Sequence, residues 1–186
     1  RQTVYSIIFQ NAENGYTVLR LLTEEGEVIT VVGCIPCVAP GEHLAVSGVP
    51  ETHPQHGEQL RAVELERSLP EDEEEIFSYL SSGICKGVGP ATARRIVERF
   101  GAETLDVLER EPERLTTLKG VTARKAQEIA ESFRQHMGLR RLMAFLAQYQ
   151  LPPVLAMELR RQYGDAALEK VRENPNLLSG EACGVE

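Results

Sequence analysis

Tryptophan is absent from this 186-residue chain, and phenylalanine and tyrosine number five each. That leaves little aromatic surface for stacking a planar ligand. No apolar run approaches the roughly 20 residues of a membrane span, and no signal-peptide pattern opens the chain. Membrane-spanning and secreted readings are set aside, and the cytoplasm is the expected location. Also lacking is a phosphate-binding loop of the form Gly-x-x-x-x-Gly-Lys-Ser/Thr, since none of Lys86, Lys119, Lys125 or Lys170 directly follows a glycine. Nor do the four scattered histidines fall into a Ser/His/Asp or Cys/His arrangement. The chain alone is read as no enzyme, without catalytic residues.

The four cysteines raise the question of a metal. Cys34-x-x-Cys37 precedes His53-x-x-His56 at roughly finger-like separation. Proline stands between those histidines, however, and only two residues separate them, where a finger helix uses three to five. Gly41, Gly48 and Pro50 between the pairs read as strand and turn. Free thiols in a reducing compartment are the expectation, with no metal site. Cys85 and Cys183 have no neighbour at ligand spacing.

A surplus of positive charge is lacking too. The net charge is −8, which disfavours strong non-specific attraction to nucleic acid. The deficit is unevenly spread. Residues 1–75 carry 4 basic and 14 acidic side chains, with Glu71-Asp72-Glu73-Glu74-Glu75 the densest run. Residues 76–134 carry 10 basic and 8 acidic, and residues 135–186 carry 6 of each. Any contact with DNA is therefore expected to be local and weak.

What the chain does contain is Lys86-Gly87-Val88-Gly89-Pro90 followed by Ala91-Thr92-Ala93. Two glycines let the backbone turn tightly, and Pro90 suits the first turn of a helix, where its N–H would have no partner. Ile76, Phe77, Leu80 and Ile84 recur at helical spacing before the motif; Ala93, Ile96, Val97 and Phe100 do so after it. The second helix thus begins with unpaired amides at its positive end, a natural place for a phosphate. A dinucleotide fingerprint is excluded, because Thr92 replaces its third glycine and a helix precedes the motif instead of a strand. The pattern resembles the helix-hairpin-helix binders of DNA backbone. Leu118-Lys119-Gly120-Val121-Thr122 reads as a second hairpin, with Thr122 in place of the second glycine and able to cap the next helix.

Upstream, residues 4–9, 16–22, 27–33, 43–49 and 59–66 are β-rich and separated by Asn14-Gly15, Glu25-Gly26 and Pro40-Gly41. Five strands in this length suit a small closed barrel of the OB type. Its aromatics are Tyr5, Phe9 and Tyr16, and Arg20 and Arg61 are nearly its only internal cations. On charge alone, a core plus a protein-contacting surface is favoured over a strand-binding groove. The expected fold class is α+β: an OB-like barrel over 1–69, tandem hairpins over 70–136, and a diverged second hairpin copy over 137–186.

That second copy rests on an internal repeat. Residues 88–115 align without a gap with 151–178, matching Pro90 to Pro153, Ala93 to Ala156, Phe100 to Tyr163, Gly101 to Gly164, Pro112 to Pro175 and Leu115 to Leu178. Leu151-Pro152-Pro153 has lost both glycines, so this copy reads as structural. Gly184-Val185-Glu186 stands where a fourth hairpin would start. Together with a first residue, Arg1, that is not methionine, this raises the expectation that the natural protein is longer.

The ordered combination resembles the N-terminal region of the stand-alone RecD-like DNA helicases of superfamily I. The resemblance lies in Asn11-x-x-Asn14-Gly15-Tyr16-Thr17-Val18-Leu19, Pro40-Gly41-Glu42, and Gly48 with His53-Pro54-x-x-Gly57-x-Gln59. It continues through Tyr79-Leu80-x-Ser82-Gly83-x-x-Lys86-Gly87-Val88-Gly89-Pro90-x-Thr92-Ala93, Tyr163-Gly164 and Glu173-Asn174-Pro175. Two departures stand out: the family's usual tryptophan between Gly48 and His53 is absent, and Leu60 replaces a frequent aromatic. The resemblance implies a parent ATP-dependent helicase moving 5′ to 3′ on DNA in repair or recombination. ATP and magnesium are then expected only in motor domains outside this chain.

The expected role is an accessory module binding DNA weakly and without sequence preference through Lys86, Gly87, Val88, Gly89 and Thr92. Gly120, Val121, Thr122, Arg124 and Lys125 of the second hairpin would add to that contact. Expected partners are DNA, the motor domains of the same polypeptide and a further repair or replication protein; none is a membrane. The alternatives are a structural or protein-contacting arm of that helicase, and a Holliday-junction-binding protein.

Overall fold

Short alternating segments at the front of the chain close into a barrel, as their period of two requires once one face is buried. In the computed structural model, which describes residues 2–55 and 57–178, the strands are β1 (Gln2–Gln10), β2 (Tyr16–Leu22), β3 (Val28–Cys34), β4 (His43–His53) and β5 (Gly57–Ser68). They close in the order β1-β2-β3-β5-β4, with β3 and β5 the parallel pair. Val4, Leu19, Leu21, Val31, Ile35, Val38 and Leu44 fill the interior. The expected five-stranded barrel is present. β4 and β5 reach further than their β-rich cores, because pairing continues to His53 and Gly57 and a Glu51 carboxylate there accepts from both Gln59 and Arg61.

After Pro70 the chain is helical: α1 (Glu73–Ser81), α2 (Pro90–Phe100), α3 (Thr104–Arg110), α4 (Ala123–Ala147), α5 (Pro153–Tyr163) and α6 (Ala167–Glu173). Asp72 and Glu75 form a reciprocal capping box at the start of α1, which explains part of the acidic run there. The repeat expected from the sequence is a repeat in space. α5 begins and ends 63 residues after α2, and α6 does the same relative to α3. Gly101 and Gly164, which close α2 and α5, have nearly identical backbone angles of φ 57°, ψ −137° and φ 59°, ψ −137°. Each copy has its own core. Ile76, Tyr79, Ile96, Leu108, Leu115, Ile129 and Phe133 belong to the first, and Leu142, Leu146, Leu155, Leu159 and Val171 to the second. The 25-residue helix α4 serves both, contributing Ile129 and Phe133 to one and Leu142 and Leu146 to the other. The region of a fourth hairpin, Gly184-Val185-Glu186, and Cys183 lie outside the described residues.

Barrel and helices are joined by buried polar contacts. The fully buried Glu42 accepts from the Arg67 guanidinium at 3.1 and 3.2 Å and from the Ala39 amide at 2.8 Å, and it pairs with Arg140 of α4. Burial pushes the Arg67 guanidinium below its ordinary value, and the Glu42 carboxylate pulls it back up. His43 at the start of β4 meets Glu75 of α1 at 2.6 Å. Burial works against the charge of Glu75, but His43 and the amides of Glu71 and Asp72 outweigh it and hold the carboxyl below the usual range. Gly41 lets the two parts approach this closely. Its φ is +93°, and a Cβ there would lie 2.2 Å from the Glu75 carbonyl oxygen.

Candidate nucleic-acid interface

The first hairpin occupies residues 82–89, between α1 and α2. Gly87 takes a left-handed φ of +87°, which turns the chain between the helices. Val88 points inward at 5% exposure, and its amide donates to the Cys85 carbonyl. Gly89 is the N-cap of α2 and offers no side chain, while Pro90 fills the first helical position. The next first-turn amides, of Ala91 and Thr92, are therefore not capped by a side chain. Lys86 and Gly87 are exposed and Thr92 half-buried.

The second hairpin repeats this plan with one change. Gly120 takes φ +84°, and Val121 is buried with its amide bonded to Leu118. Thr122 caps α4 through its hydroxyl, which accepts from the Lys125 amide at 3.1 Å. Threonine thus stands where glycine stood and occupies one of the amides that the first hairpin leaves open. In both hairpins the central valine anchors the loop, and the glycines and flanking cations face solvent.

One cleft of about 780 Å³ lies beside the first loop, lined by Lys86 and by Ala123 and Arg124 in the first turn of α4, the helix that the second loop opens. Gln127, Glu128, Glu131, Ser132 and Gln135 of α4 complete its wall. The Arg124 side chain is 90% exposed, with Glu128 3.6 Å away as a loose partner. Lys86, Lys119 and Lys125 have no ion-pair partner among the described residues. Other cations of this region are already engaged by protein. Arg94 stacks 3.8 Å from the centre of the Phe77 ring, Arg114 lies over Phe100, and Arg95 donates to the Lys119 carbonyl. Glu128 and Glu131 further dilute the positive field, in keeping with weak attraction.

Of the expected site residues, Lys86 and Arg124 share the cleft, Val88 and Val121 are buried anchors, and Gly87, Gly89, Thr92, Gly120, Thr122 and Lys125 are not part of its lining. Sequence reasoning missed the α4 wall. Its signal was present, since positions 124, 127, 128, 131, 132 and 135 form a polar stripe at helical spacing.

The third hairpin differs in its surroundings. Gln150, which aligns with Gly87, takes φ +60°, a left-handed angle unusual for a side-chain-bearing residue. Pro152 replaces the N-cap glycine. Its following helix, α5, lies against the barrel: Arg161 donates to the Glu13 carbonyl, and a Cβ at Gly15 would lie 3.1 Å from the Met157 sulfur. The outer barrel carries Tyr5, Phe9 and Tyr16 exposed, with the Phe9 and Tyr16 rings 6.5 Å apart. Among the described residues no group of histidine, cysteine and acidic side chains is placed to hold a metal; His56 of the finger-like spacing lies outside them.

Comparison with known proteins gives three successive matches along the chain. Residues 2–70 match the OB-fold domain of the ATP-dependent DNA helicase YrrC, and residues 77–135 match a SAM-like helix-hairpin-helix tandem. Residues 135–186 match the helix-hairpin-helix domain of the ATP-dependent RecD2 DNA helicase. In this order the three matches are consistent with the N-terminal region of a RecD-like helicase. An ATP-dependent RecD2 DNA helicase of Deinococcus radiodurans is 29% identical over 170 residues, which cover 88% of this chain. The chain spans about a quarter of that relative's length, the aligned part being 24% of it. No helix among the described residues is long and apolar enough to cross a membrane.

Proposed function

We propose that this chain is a DNA-backbone-binding accessory module of an ATP-dependent 5′–3′ DNA helicase of the RecD-like family that works in repair or recombination. One observation carries the reading: Lys86 of the first glycine-turned loop and Arg124, in the first turn of the helix that the second such loop opens, lie exposed on a single cleft. Amides and cations at helix starts hold phosphates without reading bases. Gly87, Gly89 and Thr92 would contribute at the first hairpin, and Gly120, Thr122 and Lys125 at the second, with Val88 and Val121 shaping the loops. ATP and magnesium would act in motor domains of the same polypeptide, outside these residues, and the module would guide DNA toward them.

The test is fluorescence anisotropy with single-stranded and duplex DNA across a salt series. Affinity is expected to fall steeply with salt. It should drop at least tenfold in a Gly87→Glu/Gly120→Glu variant and in the surface variant Lys86→Glu/Arg124→Glu. Unchanged binding in both would sink the assignment.

A second reading has its own support. The barrel is strongly acidic and exposes Tyr5, Ile8, Phe9 and Val63, a surface suited to a protein partner. Binding of a helicase motor or another repair protein, with no DNA bound at low salt, would favour it.

A further inference from the structure

Two hydrogen bonds cross between the hairpins. The Lys86 amide, in the first loop, donates to the Ser132 hydroxyl at 2.8 Å. Ser132 belongs to α4, the helix that follows the second hairpin. Conversely, the Lys119 carbonyl, at the edge of the second loop, accepts from the guanidinium of Arg95. Arg95 belongs to α2, the helix that follows the first hairpin. Each loop is thus tied by a side chain from the other hairpin's helix. Neither tie is required by the hairpin fold itself, whose turns are closed locally by Val88 to Cys85 and Val121 to Leu118.

We infer that Ser132 and Arg95 are positioning residues that lock the two loops into one binding unit, fixed in spacing before DNA arrives. The inference rests on the DNA-binding reading above and deepens it. Two weak sites held at a fixed separation bind one continuous backbone far better than two loosely related ones, because the second contact needs no further ordering. Arg95 acts here through a carbonyl and not through phosphate. One guanidinium N–H is spent on this carbonyl, so in the positioning role Arg95 acts by holding the loop and not by neutralising a phosphate. Ser132 contributes an oxygen acceptor that fixes the Lys86 backbone while leaving the Lys86 ammonium exposed to the cleft.

This separates positioning from contact by experiment. Ser132→Ala and Arg95→Met, in the 186-residue protein, are expected to weaken duplex binding about fivefold each, the effect of one hydrogen bond. The slope of log affinity against log salt should stay that of the unaltered protein, since the bound state keeps its phosphate contacts. Ser132→Thr keeps the hydroxyl and should restore binding. Hydrogen exchange should show the Lys86 amide exposed in Ser132→Ala and protected in Ser132→Thr, with melting temperatures close to the parent's.

A loss of about 0.9 in slope in Arg95→Met would make Arg95 a direct phosphate contact and overturn its positioning role. Parent-like affinity in both variants, or failure of Ser132→Thr to restore binding, would overturn the inference while leaving the DNA-binding function intact. If the unaltered protein binds no DNA, both the function and the inference fall.

Discussion

The two copies of the helical repeat close α2 and α5 on glycines with nearly the same backbone angles, yet the surroundings of their hairpins differ. In the first copy the loop at Gly87 borders an open cleft. In the second the helix that follows the loop at Gln150 is packed on the barrel, through Arg161 to the Glu13 carbonyl and Met157 beside Gly15. The same local fold therefore borders a cleft once and leads into a helix joined to the barrel once. What differs is the residue at the turn and the chemistry of the first helical positions, glycine in one case and Gln150 with Pro152 in the other. A hairpin that touches nothing but protein can tolerate a side chain at the turn and lose an amide at the N-cap. One that receives a phosphate closely cannot.

The comparison breaks most severely at Glu42, through which the barrel holds α4 in the second copy. Glu42→Ala leaves Arg67 and Arg140 buried without their carboxylate, and should cost about 3–5 kcal/mol in chemical denaturation. The first copy's joint is tested at Gly41. Gly41→Ala drives a methyl into the Glu75 carbonyl and forces an unfavourable φ, so a loss of about 2–4 kcal/mol is expected in the same measurement.

Acid should loosen the contact between α1 and α4. Burial lowers the pKa of His136 to about 4, so the ring is neutral where its Nε2 is hydrogen-bonded with the Tyr79 hydroxyl at 2.5 Å. The unfolded chain binds a proton near pH 6.5 that the folded chain refuses until about pH 4. Stability contributed by neutral His136 is therefore full above that window and lost as pH falls through it. Melting temperature against pH should show this loss, and His136→Phe should flatten that part of the profile.

The smallest effect compares the turns directly. Gln150→Gly relieves a left-handed angle and should stabilise by up to about 1 kcal/mol, whereas Gly87→Ala should destabilise by about 1 kcal/mol. Thermal unfolding of the two single variants checks the opposite signs.

Much of this was legible in the residues. Asn14-Gly15 and Pro40-Gly41 punctuate the strands, and the 63-residue offset predicts α5 and α6 from α2 and α3. The hairpins followed from glycine, valine and proline at fixed places. Three things were not legible. The left-handed Gln150 looks like an ordinary polar residue, because tertiary packing and not its own preference imposes the angle. The Glu42–Arg140 pair joins positions 98 apart in sequence, and no local pattern announces such a partnership. The continuity of α4 hides because its apolar face changes core midway, so one helix reads as parts of two units.

That helix sets a phase. At about 1.5 Å per residue, α4 is a rod of roughly 37 Å with one copy fixed to each end. Inserting a single residue near its middle would turn everything beyond by about 100°. Arg140 and Arg161 could not then both find Glu42 and Glu13, although every local turn and cap would remain intact. Length changes are thus expected to be tolerated in the turns of the barrel and forbidden within the rod, where an integer count of residues does the work of an angle.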